Sequence, residues 1–426
     1  MQKIILGYER FNPDTFEGWN YNGRIFDQSL NKTYTNGQNE FYDFLYRVYI
    51  KPQDFSDSYK ESSPLFNKKS SDYHDSLCVQ DIKPGTTYFY PIIIGSLHIY
   101  VDLVKEIEIS DKVSVDVKNG HAYIIFVYHQ EGDLHYIKDK FYNLVSKLNL
   151  PKKQILFFHS NHNIEKFQDA PFQYVPIDIF SWWLDKYRSI SDIVDFHNEK
   201  LFLLYSRQVR FHRLCLFASL IQNSLLDNGI YSCGKFRFNT DIKDILQSNQ
   251  YLLSAAELDK LRGIELTSPD NQISNNDINN CPNDIFFPDY RRTFVSLVSE
   301  TLSDSIFLSE KTYKPIAVGH PFILLGGPGH LDYLKSKGYK TFDQYWNEDY
   351  DQEPNLHLRI KKIVEILTQL NTLTSHERIQ MRHSMLPILQ HNQELFKKSF
   401  GTSANNVQDQ TPIRDFLTNF LSDSHV

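Results

Sequence analysis

The sequence predicts an α/β protein of two Rossmann-like domains, each a parallel sheet carrying helices on its faces, that face one another across a cleft. Three observations lead to this reading. Apolar, β-rich runs at residues 122–128, 154–158, 201–205, 294–298 and 321–325 each stop at a polar or glycine-rich turn, and several lead into segments with helical apolar spacing. The runs do not alternate with polar residues, which suits strands covered on both faces, as in parallel sheets. The chain has 426 residues, 41% hydrophobic and 23% charged, enough for two separate cores. The expected division is residues 1–190, residues 191–400 and a tail helix in 401–426.

In the first domain, residues 3–7 read as a strand and 12–35, rich in Asn, Gly and Asp, as loop. Phe41, Phe44, Leu45 and Val48 have helical spacing, and 56–75 is a Ser/Lys-rich excursion. Residues 88–94 form a strand whose Pro91 points to a sheet edge, because proline has no N–H to donate to a ladder. Residues 122–128 form an interior strand. Ile137, Phe141, Leu144, Val145 and Leu148 then mark a helix over 134–148, followed by strands at 154–158 and 172–177. The strand-end loops carry His129, Glu131 and Asp133, and then His159 and His162. Two histidines three apart in a loop, with no third ligand, do not make a zinc site. Trp182, Trp183 and Tyr187 predict a packed helix at the joint, 181–200.

The second domain opens with the strand 201–205. Ser206-Arg207-Gln208-Val209-Arg210-Phe211-His212-Arg213 follows, then a helix through Leu214, Phe217, Leu220, Ile221 and Leu225 that Gly229 closes as a left-handed cap. Arg207, Arg210 and Arg213, with His212, stand where a strand gives way to a helix, which predicts an anion site. A helix is expected over 251–262 and irregular chain over 268–288. Residues 356–370 and 375–400 are amphipathic helices, with Thr374 and Glu377 spaced as a capping box.

Residues 293–342 organise the domain: strand, polar loop, helix, strand, the turn Gly326-Gly327-Pro328-Gly329, helix. The helix is expected over 312–318, where Pro315 is tolerated only in the first turn. Ligands of open parallel sheets bind at such strand ends. A carboxylate such as Glu310 can accept both hydroxyls of a ribose. Lys311 and Lys314 can meet the charge of a diphosphate, and the helix start adds backbone donors.

Ser309-Glu310-Lys311-Thr312-Tyr313-Lys314-Pro315-Ile316-Ala317-Val318-Gly319, followed by Pro321-Phe322-Ile323, resembles the donor-site block of α-1,3-fucosyltransferases and, more broadly, of nucleotide-sugar transferases of the GT-B type. The likeness spans about 30 residues. It implies that Glu310 holds the ribose and Lys311 the diphosphate of a nucleotide-sugar donor in the second domain, with the tail packing back on the first. The reaction implied is transfer to an acceptor hydroxyl, inverting and without a metal, the diphosphate being shared among Arg207, Arg210, Arg213, Lys311 and Lys314 beside Gly327. Inversion needs a base in the first domain, for which Glu131 is the candidate and His129 the next, with Asp133 competing for the same role.

The net charge of −7 argues against broad nucleic-acid binding. Cys78, Cys215, Cys233 and Cys281 show no metal or disulfide spacing, so reduced, cytoplasmic thiols are expected. Neither a signal peptide nor a membrane span is expected, although peripheral membrane contact stays open. Asp349-Tyr350-Asp351 matches the D-x-D of metal-dependent transferases, but in an acidic stretch with no preceding strand. Neither a cofactor nor a metal is expected. Two other readings stay open: a nucleotide-dependent phosphotransferase, and a non-catalytic glycan- or nucleotide-binding module.

Overall fold

The computed structural model of the chain describes residues 4–8, 18–21, 24–27, 32–35, 74–93, 109–128, 138–163, 168–176, 190, 192–206, 209–234, 242–249, 251–264, 285–398 and 420. The chain divides into two compact units, Met1–Trp182 with Gly401–Val426, and Trp183–Phe400.

The first unit is built on a parallel six-stranded sheet of β1 (Ile4–Tyr8), β5 (His74–Cys78), β6 (Tyr88–Ile93), β7 (Ala122–Tyr128), β8 (Ile155–His159) and β9 (Gln173–Pro176), in the order β5-β1-β6-β7-β8-β9. β2 (Gly18–Tyr21), β3 (Arg24–Asp27) and β4 (Lys32–Thr35) form a separate antiparallel meander within a span expected to be loop. Asn22-Gly23, a strong hairpin signal, stands in sequence between the first two. Helices α1 (Asp111–Lys118) and α2 (Lys138–Leu148) accompany the sheet. Ser110 caps α1 by accepting the Val113 N–H, and Val113 and Val117, one turn apart, enter the core. Phe141 of α2 meets Phe126 and Phe157 at ring distances of 4.9 and 4.8 Å. Pro91 is not at an edge: β6 lies between β1 and β7. Its missing N–H is tolerated because the β1 ladder registers with β6 only at Leu6–Phe89.

The second unit has the parallel sheet β11-β10-β12-β13, of β10 (Lys200–Ser206), β11 (Gly229–Cys233), β12 (Thr293–Ser299) and β13 (Phe322–Leu325). β12 and β13 are buried along their whole length. The helices are α3 (Phe211–Gln222), α4 (Ile242–Ser248), α5 (Ala255–Arg262), α6 (Phe287–Arg292), α7 (Glu310–Val318), α8 (His330–Ser336), α9 (Leu356–Thr372), α10 (Ser375–Ser384) and α11 (Leu386–Lys398). α3 packs with α5 and α9, and α7 packs with α11.

Two local expectations are corrected. Gly229 begins β11 in extended backbone rather than capping α3. It is small because a Cβ there would stand 2.2 Å from the Phe202 ring. Helix α7 starts at Glu310, which puts Pro315 inside it and removes one ladder hydrogen bond. Gly319 ends α7 in the left-handed region, φ 66°. The capping box at Thr374 and Glu377 is present, and Pro387 lies in the first turn of the helix that follows the break at Met385.

Candidate functional site

In the second unit α3 leads from β10 to β11 on one side, while α7 leads from β12 to β13 on the other. The ends of β10 and β12 are therefore a topological switch point, where the chain leaves in opposite directions and opens a crevice. Both α3 and α7 begin there, each with the positive end of its dipole at the switch point.

At the start of α7, Ser309 is the cap and its hydroxyl accepts the Lys311 N–H. Glu310 is 8% exposed. The Lys311 ammonium stands 2.8 Å from its Oε1 and 3.2 Å from Ser309 Oγ. Burial alone would raise the Glu310 carboxyl. The Lys311 and Lys314 charges and the Lys311 hydrogen bond outweigh it, so the group is held below the usual carboxylate range. Lys314, one turn on, is buried.

At the start of α3, Arg210 is the cap residue in extended backbone and is half-buried. Arg213 is 1% exposed, and its Nη2 donates to the carbonyls of Ser299 and Glu300 at 3.0 Å each. His212 Nε2–H donates to the same Glu300 carbonyl at 2.9 Å. Burial, with the charges of Arg213, Arg210 and Arg359, pushes the His212 imidazole down to about 3, so the ring is neutral. Burial and the neighbouring Arg210 lower the Arg213 guanidinium to about 10, against the pull of Glu300 and Glu310. The structure thus brings together Arg210, Arg213, Glu310, Lys311 and Lys314. Arg207, Glu131 and His129 lie outside the described residues.

Gly327 is placed by packing. A Cβ there would lie 2.4 Å from the Ser305 backbone nitrogen, so only glycine lets the turn after β13 close on the loop after β12. His330 holds the same junction: its Nδ1–H donates to the Gly327 carbonyl at 2.6 Å, and its Nε2 accepts the Phe307 N–H at 3.1 Å. Arg359 adds a third tie, its guanidinium donating to the carbonyls of Ser303 at 2.9 Å and of Gly326. Sequence reasoning missed His330 and Arg359, whose spacing in the chain gives no signal.

The most informative missed residue is Glu300, which is fully buried. Its Oε1 accepts the Ser309 N–H at 3.0 Å and the Thr312 hydroxyl at 2.6 Å. Its Oε2 accepts the Ser309 hydroxyl at 2.5 Å and the Thr301 N–H at 3.2 Å. With His212 and Arg213 on its carbonyl, this one residue ties the starts of both helices together.

In the first unit His159 Nδ1 lies 2.8 Å from the Tyr174 hydroxyl, which itself donates to the Asn161 carbonyl at 2.6 Å. Since tyrosine has one proton, His159 must carry its own on Nδ1. The ring stacks on Tyr128, 5.4 Å away, so the imidazole is a core residue. Asp351 Oδ1 accepts the Leu331 N–H, and Asp349 pairs with Lys362 at 3.4 Å. The D-x-D thus belongs to local structure. Among the described residues no three His, Cys, Asp or Glu converge on a metal position. No helix among them is long and apolar enough to cross a membrane. Cys215 and Cys233 are buried free thiols. Phe420 packs its ring 5.0 Å from that of Tyr123.

No family model and no curated protein matches the chain in sequence. Among solved structures, the DNA-modifying enzyme β-glucosyltransferase is similar over 82% of this chain and 86% of its own, at 9% identity and a TM-score of 0.39. The α,α-trehalose-phosphate synthase (UDP-forming) of Burkholderia vietnamiensis covers 81% and 76% at 11% identity and a TM-score of 0.36. Its counterpart from Burkholderia multivorans covers 82% and 72% at 11% and 0.35.

Proposed function

We propose that the chain is a nucleotide-sugar-dependent glycosyltransferase whose donor binds at the switch point of the second unit, in a fold of the GT-B type. The observation that carries this is Glu310: a nearly buried carboxylate, held ionised by two lysines, at the start of a helix beside a second helix start rich in arginine. A sugar nucleotide has the complementary chemistry. Its ribose diol donates two hydrogen bonds to Glu310, and its diphosphate meets Lys311, Arg210 and, in this reading, Arg207. Arg213 and Lys314, both buried, supply field from behind the anion rather than the outer contact. Gly327 lets the two loops close around it.

The reaction we propose is inverting displacement. An acceptor hydroxyl oxygen bonds to the anomeric carbon while the bond from that carbon to the diphosphate oxygen breaks. The electron pair stays on the diphosphate, where the fixed cations stabilise it in place of a metal. The hydroxyl proton passes to a base, assigned here to Glu131, with His129 as the alternative. The resemblance of the Glu310-Lys311 block points to fucosyl-like chemistry, and the reduced thiols to a cytoplasmic setting.

The test is a thermal-shift screen against GDP-, UDP-, ADP- and CMP-sugars, followed by product analysis. A cognate donor at 100 times its Kd should stabilise the chain by about 2.7 kcal/mol, and turnover should release a nucleoside diphosphate only when an acceptor is present. Release from a nucleoside triphosphate instead would make the protein a phosphotransferase. Binding without turnover across an acceptor panel would make it a binding module.

A further inference from the structure

We propose that Glu300 is a positioning residue of this donor site: it acts on the ligand through Ser309, by fixing which way the Ser309 hydroxyl points. The inference rests on the donor reading of Glu310 and Lys311.

Glu300 is a poor candidate for a direct contact. It is fully buried, and four donors already occupy its two oxygens. What the arrangement does is directional. The Ser309 hydroxyl has one proton, which goes to Glu300 Oε2 across 2.5 Å. The lone pairs of that oxygen then turn toward Lys311, accepting its backbone N–H at 3.3 Å and its ammonium at 3.2 Å. Anchored there, the ammonium reaches Glu310 Oε1 at 2.8 Å. The order is therefore Glu300 to Ser309 to Lys311 to Glu310, from a buried strand end outward to the two groups that would meet diphosphate and ribose.

The relay requires a carboxylate. Each oxygen of Glu300 faces a backbone N–H, Ser309 on one side and Thr301 on the other. Glutamine has one amide nitrogen, and in either orientation its NH₂ would confront one of those N–H groups. On the Oε2 side it would also donate to Ser309 Oγ and free the serine proton to turn toward Lys311, where it opposes two donors. Hydroxyls and backbone donors can adapt to an acceptor of either charge, but a donor facing a fixed donor has no remedy except displacement.

The experiment is calorimetric titration of the nucleoside diphosphate, among UDP, GDP and ADP, that stabilises the unaltered chain most. The variants are Glu300→Gln, Ser309→Ala, Ser309→Thr, the double variant Glu300→Gln/Ser309→Ala, and Glu310→Ala as the control for the donor site. The proposal expects Glu300→Gln and Ser309→Ala each to weaken binding about 10- to 100-fold, the value of a lost hydrogen bond to a charged group. It expects Ser309→Thr, which keeps the hydroxyl, to stay within about threefold of the unaltered chain. The double variant should be no weaker than the worse single one, because both break the same relay. Glu300→Gln bears on the result only where its nucleotide-free thermal midpoint shows it folded. If it does not fold, the Ser309→Ala and Ser309→Thr pair decides alone. Full affinity in Ser309→Ala, equal loss in Ser309→Thr, or additive losses in the double variant overturns the relay while Glu310→Ala still loses affinity. If Glu310→Ala also binds normally, the donor reading falls and the relay with it.

Discussion

The Arg213 guanidinium donates across 3.0 Å to the carbonyl oxygen of Glu300, and across 3.0 Å to that of Ser299. Arg210, three residues earlier, stands at the cap position of α3 without a side-chain capping hydrogen bond and is half-buried. Two arginines in one basic turn therefore have different work. Arg213→Ala removes a buried side chain and two charge-assisted bonds, and should destabilise the chain by about 3–5 kcal/mol. Arg210→Ala should destabilise the chain by less, about 1 kcal/mol, yet weaken nucleoside diphosphate binding about tenfold or more. Urea unfolding beside calorimetry separates the two effects. Equal destabilisation by both variants would show that Arg210 is also structural.

Acid should weaken the second unit through its buried histidines. His320 accepts the Ser296 hydroxyl on Nδ1 and donates from Nε2 to the Thr293 carbonyl. Burial, with the Arg382 charge, lowers it to about 3, and His212 is also lowered to about 3. Since these folded values lie below the unfolded one of about 6.5, the unfolded chain takes up protons first. Their stabilisation is complete above pH 6.5 and is lost as pH falls toward 3, each at up to about 1.4 kcal/mol per pH unit. His320→Gln should flatten the urea midpoint against pH over this window. An unchanged slope would mean that His320 charges in the folded chain.

Activity should persist in EDTA. Arg210, Arg213, Lys311 and Lys314 place four cations against the two carboxylates Glu300 and Glu310, leaving positive charge for the departing diphosphate. Asp351→Asn, which alters a helix cap rather than a metal ligand, should leave Mn²⁺ response unaltered. Complete loss of turnover in EDTA, restored by Mn²⁺, would contradict this.

Glu131→Gln tests the base. It keeps size and polarity but cannot take a proton, so kcat should fall about 10²- to 10⁴-fold while nucleotide affinity stays within a factor of about two. If turnover survives, His129→Gln is the next variant, and retention of activity in both removes the assignment.

What the sequence revealed follows from the range of the interactions involved. The interior strands were plain because residues such as Ile124, Ile125, Phe126 and Val127 form unbroken apolar runs. The helix starts at Arg210 and Glu310 were marked by charge at strand ends. The meander β2–β4 was obscure because its strands have four residues each and lie among polar ones. Glu300 gave no signal in the sequence because its meaning lies in contacts with His212 and Arg213, nearly 90 residues away, and with Ser309 and Thr312 across a loop. Arg213 looked equivalent to Arg210 because a one-dimensional cluster carries no burial. Pro91 was misplaced because the shortness of a ladder is set by the neighbouring strand.

The central claim is that Glu310 and Lys311 form a nucleotide-sugar donor site. Calorimetric titration of the cognate nucleoside diphosphate into Glu310→Ala, beside the unaltered chain, tests it most directly. The account predicts affinity about 10- to 100-fold weaker in a chain that still folds, its nucleotide-free thermal midpoint lowered because the buried Lys314 and Arg213 lose a nearby counter-charge. Undiminished affinity in a folded Glu310→Ala chain would contradict it.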